Sequence, residues 1–252
     1  MEEGQRKQRD ESEEVGSSSL ASLPAPKTDV VYRLRDIKRS LVEEWTKTFE
    51  GYDNIQVSQG DIFEGAPSAD AIVSPANSFG FMDGGIDGVY SAHFGWQMQK
   101  RLQKVIREEK DGEILVGDTV IIPTFEGGAK EDSMDWSAFN GGKPIKYLIS
   151  APTMRVPEVV AKTPNAFLAF RAVILAVQKH NANLKEGDIP IKSVISPGLG
   201  TSVGKMPSDK CAAQMKLAYD MFELGLHREF YEPEHLTTVW EHHYVMCEEA
   251  TL

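Results

Sequence analysis

Asp70-Ala-Ile-Val-Ser-Pro-Ala-Asn77-Ser-Phe-Gly-Phe-Met-Asp83-Gly84-Gly85-Ile86-Asp87-Gly88 reads as a buried strand that opens into a Gly-rich loop and then a helix. Such a loop suits an anion. Glycines let the backbone approach closely, and the N–H groups and dipole of a helix start favour negative charge. Ala71-Ile-Val73 has the character of a central strand, and ligands of open α/β sheets collect outside the carboxyl ends of such strands. Asn77 stands at that end with an amide that can donate and accept at once, which suits a ribose diol, while Gly84-Gly85-Ile86 can turn successive N–H groups toward a diphosphate. The same residues also fit a plainer reading, in which Asn77 caps a turn and the glycines permit tight packing. Ser196-Pro-Gly198-Leu-Gly200-Thr201-Ser202-Val203-Gly204-Lys-Met-Pro207 follows another strand and precedes another helix. Two such loops facing each other across one sheet edge can clamp one diphosphate from both sides.

Working outward, Val30-Val-Tyr-Arg-Leu34 reads as a strand, and residues 34–49 carry apolar side chains at helical intervals. Short apolar runs at 55–57, 69–73, 119–123, 147–150 and 191–195 alternate with segments of helical spacing, the pattern of an α/β layered sheet. The segment after Gly84 is helical to about Glu109 with a break near Gly95-Trp96. Thr163 and Pro164 open a helix that is apolar almost all round, and so buried. Pro207-Ser208 opens another, with Cys211, Met215, Ala218 and Phe222 as its stripe and Gly225 as its stop. No internal repeat or linker divides residues 30–225.

The 252 residues carry a formal net charge of −11, which argues against non-specific binding to nucleic acid or an anionic membrane, since both need clustered Lys and Arg. Only Cys211 and Cys247 are present, too few for a disulfide framework or a Cys-rich zinc site. The amino end has no apolar h-region, and no apolar run approaches the ~20 residues that span a bilayer. An intracellular protein, cytoplasmic or nuclear, is expected. Residues 1–28 are polar and charged with little to bury, so they read as a disordered tail.

Other residues invite chemistry and are weighed against plainer roles. His227, His235, His242 and His243 are mixed with acidic residues but lack His-Glu-x-x-His spacing, so a solvated polar face is expected there and no metal site. Asp87, Ser91 and His93 lie too close along one helix to form a nucleophile–base–orienter line. Neither a Gly-x-x-x-x-Gly-Lys-Ser/Thr nor a Gly-x-Gly-x-x-Gly pattern is present, which disfavours a triphosphatase and a hydride-transfer dinucleotide site.

The ordered motifs Gly60-Asp61-Ile62, Asp70 to Gly88 and Ser196 to Pro207 resemble the macro-domain family of ADP-ribose binders, in a divergent macro-domain-like branch whose members are assigned ADP-ribose 1″-phosphate processing. The resemblance runs from Gly60 to Pro207 and implies a three-layer α/β/α fold around a central mixed sheet; the pattern of the chain places the domain at residues 29–226, followed by an acidic, His-containing extension over 227–252, packed on the domain or trailing it. It also implies roles. Asp61, with Ile62 beside it, would take the adenine amino group, Asn77 the distal ribose, and Gly84, Gly85 and Ile86 the diphosphate. Gly200, Thr201, Ser202, Val203 and Gly204 would close over the diphosphate, and Asp87 falls on the family's catalytic acidic position.

The chain departs from the family pattern at Ser74, where an Asn is usual, at Pro75, at Ser91 in place of a His, and at Gly204 in place of an aromatic cover. Three functions follow as expectations. One is hydrolysis of an ADP-ribose derivative, a 1″-phosphate or an ADP-ribosyl ester on a protein carboxylate, with Asp87 orienting a water. Another is a non-catalytic ADP-ribose reader, and the third a packing protein with a dead site. None asks for a metal or cofactor. The expected partners are ADP-ribose or a derivative and an ADP-ribosylated protein, with no nucleic acid and no membrane, and the protein is expected as a monomer.

Overall fold

The protein is described by a computed structural model over residues 23–75, 77–125 and 135–248. Strands β1 (Val31–Asp36) and β2 (Ile55–Gln59) flank helix α1 (Arg39–Thr48), and β3 (Ala71–Ser74) leads through a loop to α2 (Gly85–Phe94) and α3 (Gln97–Glu109). After β4 (Val120–Pro123) and β5 (Tyr147–Ser150) come α4 (Asn165–Ala182), β6 (Ser193–Ser196) and α5 (Ser208–Phe222), then a single turn α6 (Arg228–Tyr231) and helix α7 (Leu236–Cys247).

Helix ends follow local chemistry. Gly95, at φ 98, separates α2 from α3, and Gly225, at φ 68, sits beyond the end of α5. Thr163 Oγ1 accepts the Asn165 N–H at 3.3 Å, so the cap expected at Thr163 serves a helix that begins two residues later.

The strands form one sheet in the order β2-β1-β6-β3-β5-β4. All neighbours are parallel except β4, which runs antiparallel to β5 at the edge. Side chains alternate between the faces. Ala71, Val73, Ile149 and Val194 join the cluster that buries Phe170 and Val173 of α4 and Met215 and Tyr219 of α5. Ile72, Leu148 and Ile195 join the opposite cluster, with Tyr90 and Phe94 of α2 and Met98, Leu102 and Ile106 of α3. Helices therefore cover both faces of a mixed sheet, the three-layer α/β/α arrangement that the motifs imply.

The domain's two ends are tied to its body. Lys27, inside the segment read as tail, donates its N–H to Glu223 O at 2.8 Å, and Thr28 Oγ1 donates to both oxygens of the buried Glu223 carboxylate at 3.1 Å. Helix α7 packs on α4 and α5: Gln214 Nε2 donates to Met246 O at 2.9 Å, Lys210 Nζ to Cys247 O at 3.1 Å, and His242 stands edge-on to Phe167. Residues 1–22, 126–134 and 249–252 lie outside the described residues, as does Ala76 in the first loop.

Candidate functional site

Strands β3 and β6 pair through Ala71↔Val194 and Ile72↔Ile195, so the loops that leave their carboxyl ends start about 5 Å apart, one strand spacing. The Gly84–Ile86 and Gly200–Val203 segments are thus brought to one sheet edge, as the spacing predicts.

The first loop is held from within. Asn77 Oδ1 accepts the N–H groups of Phe79 at 3.1 Å and Phe81 at 3.2 Å, and its Nδ2 donates to Phe81 O at 2.8 Å. The amide read as a ribose ligand is thus also the brace of its own turn, with one amide hydrogen unused among the described residues. Ser91 Oγ donates to Met82 O at 2.6 Å and Gln99 Oε1 accepts the Met82 N–H at 2.7 Å, which fastens the loop to α2 and α3. Gly84 and Gly85 are exposed, and a Cβ on either would meet nothing within 4 Å, so the space above this backbone is open. Gly85 also sits at φ 55, a left-handed conformation that favours glycine. Among the described residues nothing accepts the N–H groups of Gly84, Gly85 and Ile86, which are the orphan donors of a helix start.

The second loop is anchored by Asp36, at the end of β1, whose Oδ2 accepts the Gly198 N–H at 3.0 Å. Gly200, at φ 71, turns the chain, and its carbonyl accepts the Met206 N–H at 3.0 Å. The N–H groups of Thr201, Ser202 and Val203 have no acceptor among the described residues, and Ser202 and Val203 are exposed. Gly204 differs from its expected place. It is buried beneath the loop, and a Cβ there would lie 2.5 Å from Gly200 O and 2.6 Å from Val160 Cγ2. A side chain at this position would run into Val160 and Met154 of the β5–α4 connection.

Asp61 is exposed beside this edge, and its Oδ1 accepts the N–H groups of Phe63 at 2.8 Å and Glu64 at 2.9 Å. The Glu64 N–H is the largest of several causes that hold its carboxyl below the usual aspartate value. Beneath the turn lies Arg35, which donates to Asp61 O at 2.6 Å, Glu64 O at 3.0 Å and Ser58 Oγ at 3.0 Å. Gly60 lies above it at φ 145, where glycine is favoured, and a Cβ there would push against Arg35 Nη2 at 2.4 Å. Ile62 is buried in the α2–α3 cluster. Phe63 stacks on His93 at 3.5 Å between ring centroids, and burial pushes the His93 imidazole down to about 4.

Asp87 is 1% exposed. Its Oδ1 accepts the Ser74 hydroxyl at 2.5 Å, and burial, opposed by that hydrogen bond, raises its carboxyl to about 7. The carboxyl thus faces the end of β3 under the glycine loop. Sequence reading missed Ser74, Arg35 and Asp36 as the supports of this edge. Ser74 carried a signal, since it departs from the family pattern at a strand end. Arg35 carried none, because its partners are more than 20 residues away in the chain, and Asp36 reads locally only as the acceptor of the Lys38 N–H, since Gly198 lies 162 residues on. A separate cavity of about 290 Å³, lined by Leu23, Pro26, Tyr52, Asn54 and Tyr219 among others, lies at the opposite end of β2, away from both loops.

The class defined by this fold and site is a three-layer α/β/α domain with two glycine loops at neighbouring strand ends. No family model matches the chain. It is similar to an uncharacterized protein of Aquifex aeolicus, 29% identical over 170 residues that cover 68% of this chain and 83% of that one. It is similar as well to an uncharacterized protein of Aeropyrum pernix, 28% identical over 166 residues, 65% of this chain and 69% of that one. Among solved structures it is similar to the Oceanobacillus iheyensis macrodomain with MES bound, at 18% identity and a TM-score of 0.45 over 63% of this chain and 72% of that one. The macrodomain of Mycobacterium tuberculosis DarG matches at 19% identity and a TM-score of 0.44 over 65% of this chain and 88% of that one. Thermosipho africanus DarTG in complex with ADP-ribose matches at 15% identity and a TM-score of 0.41 over 61% of this chain and 35% of that one.

Proposed function

We propose that the chain is a macro-domain-like protein that binds ADP-ribose or a derivative of it at the carboxyl ends of β3 and β6. The observation that carries this reading is the pair of neighbouring glycine loops, whose N–H groups at Gly84–Ile86 and Thr201–Val203 have no acceptor among the described residues. Open backbone donors at a helix start fit a diphosphate and need no cationic side chain. Asp61 would then take the adenine amino group and Asn77 the distal ribose, as the sequence resemblance implies. An affinity in the micromolar range, about −8 kcal/mol, is expected. Calorimetric titration with ADP-ribose and AMP tests this, and silence at millimolar ADP-ribose removes the reading.

The catalytic part of the proposal is hydrolysis of ADP-ribose 1″-phosphate or of an ADP-ribosyl ester, with Asp87 orienting a water and the second loop stabilising charge on the leaving group. If so, Asp87→Ala lowers product release at least about tenfold while product affinity stays within a few fold. A second reading, a non-catalytic reader of ADP-ribose or its metabolites, is favoured by the burial of Asp87 against Ser74. Turnover no faster than background on both substrates decides for the reader. The proposed setting is the cytoplasm or nucleus, consistent with the free thiols of Cys211 and Cys247.

A further inference from the structure

Resting on the reading of a diphosphate at these loops, we propose that ligand binding is proton-linked: the bound diphosphate and the Asp87 carboxyl share one helix start, and the complex takes up a proton at Asp87 as it forms.

Asp87 is the third residue of α2, and Gly85 and Ile86, which offer the N–H donors, precede it by two residues and one. Chain geometry keeps those donors within about 7 Å of the Asp87 Cα. An empty helix start stabilises a carboxylate in its first turn, and an anion that occupies the same donors withdraws that help and adds repulsion. Little else offsets the charge. Among the described residues the one side-chain hydrogen bond to Asp87 comes from Ser74 at the end of β3. The other titratable group facing it is Tyr90 on its own helix, a buried phenol that donates to Val73 O at 2.9 Å and is itself acted on by Asp36 and Asp61. No cation among the described residues compensates Asp87.

In the free protein burial already raises this carboxyl to about 7, so near neutrality it is poised between its two forms. An anion at Gly84–Ile86 raises it further. The sign follows: a group whose value is raised on binding makes the complex tightest below its free value and weakens it as pH climbs through that value. ADP-ribose itself titrates neither at the diphosphate nor at adenine near pH 7, so the proton is the protein's. With a free value of about 7, affinity is expected to be roughly five- to tenfold tighter at pH 6 than at pH 8, through uptake of up to one proton per ligand.

The test is titration calorimetry of the full chain with ADP-ribose at pH 6, 7 and 8, repeated at pH 7.5 in two buffers of different ionisation enthalpy. A heat that changes with the buffer in the direction of uptake, together with tighter binding at pH 6, is expected. Asp87→Asn removes the titrating group and should give one affinity across the range, whatever its level. Ser74→Ala removes the hydrogen bond that favours the charged form and should move the midpoint upward, which keeps the idea testable if the Asn variant does not fold. Binding with equal heats in both buffers, a pH dependence that survives in Asp87→Asn, or an unmoved midpoint in Ser74→Ala overturns the inference and leaves the binding site standing. Absence of ADP-ribose binding at every pH overturns the site and this linkage together.

Discussion

Val160 donates its N–H to Gly204 O at 2.8 Å, and its Cγ2 lies 2.6 Å from where a Cβ on Gly204 would be. This contact joins the β5–α4 connection to the second loop and leaves residue 204 no side-chain volume. Gly204→Ala is therefore expected to destabilise the fold by about 1–3 kcal/mol, the usual cost of overpacking, because one obstructing atom is the Gly200 carbonyl, which cannot rotate away. Urea unfolding measures it. Adding Val160→Ala should recover only part of the loss, and full recovery would show that the side chain alone sets the limit.

The Asp61 carboxylate has two separable tasks, bracing its turn and meeting a ligand. Asp61→Ala is expected to weaken ADP-ribose by about 1–3 kcal/mol, the range for hydrogen bonds to a charged group. Asp61→Asn keeps an oxygen for the Phe63 and Glu64 N–H groups but loses the charge. Affinity in the Asn variant close to that of the parent would assign the loss in Asp61→Ala to the turn, whereas equal losses in both variants would assign it to the carboxylate itself.

The amino-terminal boundary can be tested by two truncations. Removing residues 1–22, which are polar and charged, should leave the melting temperature unchanged. Removing residues 1–28 takes away the Thr28 hydroxyl that serves the Glu223 carboxylate and the Lys27 N–H that serves its main-chain carbonyl, leaving that carboxylate with the Tyr32 hydroxyl at 3.0 Å. A loss of about 1–3 kcal/mol is expected from the under-satisfied buried group. Identical melting of both truncations would show that this contact contributes nothing.

Asp87 also makes stability depend on pH without any ligand. Its folded value of about 7 stands above the unfolded 3.8, so its contribution is fully present below about pH 3.8 and is lost as pH rises through about 7. Between pH 5 and pH 8 this amounts to about 2–3 kcal/mol for a buried group of that shift. The parent should unfold at lower urea concentration at pH 8 than at pH 5, and Asp87→Asn should show a flatter profile. Parallel profiles in the two proteins would mean that the carboxyl is ionised throughout.

The order of strands, loops and helices between residues 30 and 225 was legible in the residues because the signals are local, whereas α6 and α7 were not read. Hydrophobic periodicity marks an element, Gly95 and Gly225 end helices by their positive φ, and Thr163 offers its hydroxyl to an N–H two residues on. The two glycine loops were legible for the same reason, since a loop between strand and helix is written in consecutive residues. The general rule that ligands of open α/β sheets collect at the carboxyl strand ends then marked which end matters, and the resemblance supplied the ligand.

The use made of particular side chains was not legible. Asn77 looks like a ligand for a ribose, yet most of its amide closes hydrogen bonds to Phe79 and Phe81, and only the turn geometry shows this. Gly204 reads as part of an exposed loop and is buried. Arg35 under Gly60, Asp36 on Gly198 and Ser74 on Asp87 join residues 13 to 162 positions apart. Sequence alone determined the kinds of element and where the backbone could turn, because those depend on neighbours in the chain. The tertiary structure alone decided which loop donors stay open and which carboxyl is sealed, because burial and hydrogen-bond pairing depend on what the sheet order β2-β1-β6-β3-β5-β4 brings together from far along the chain.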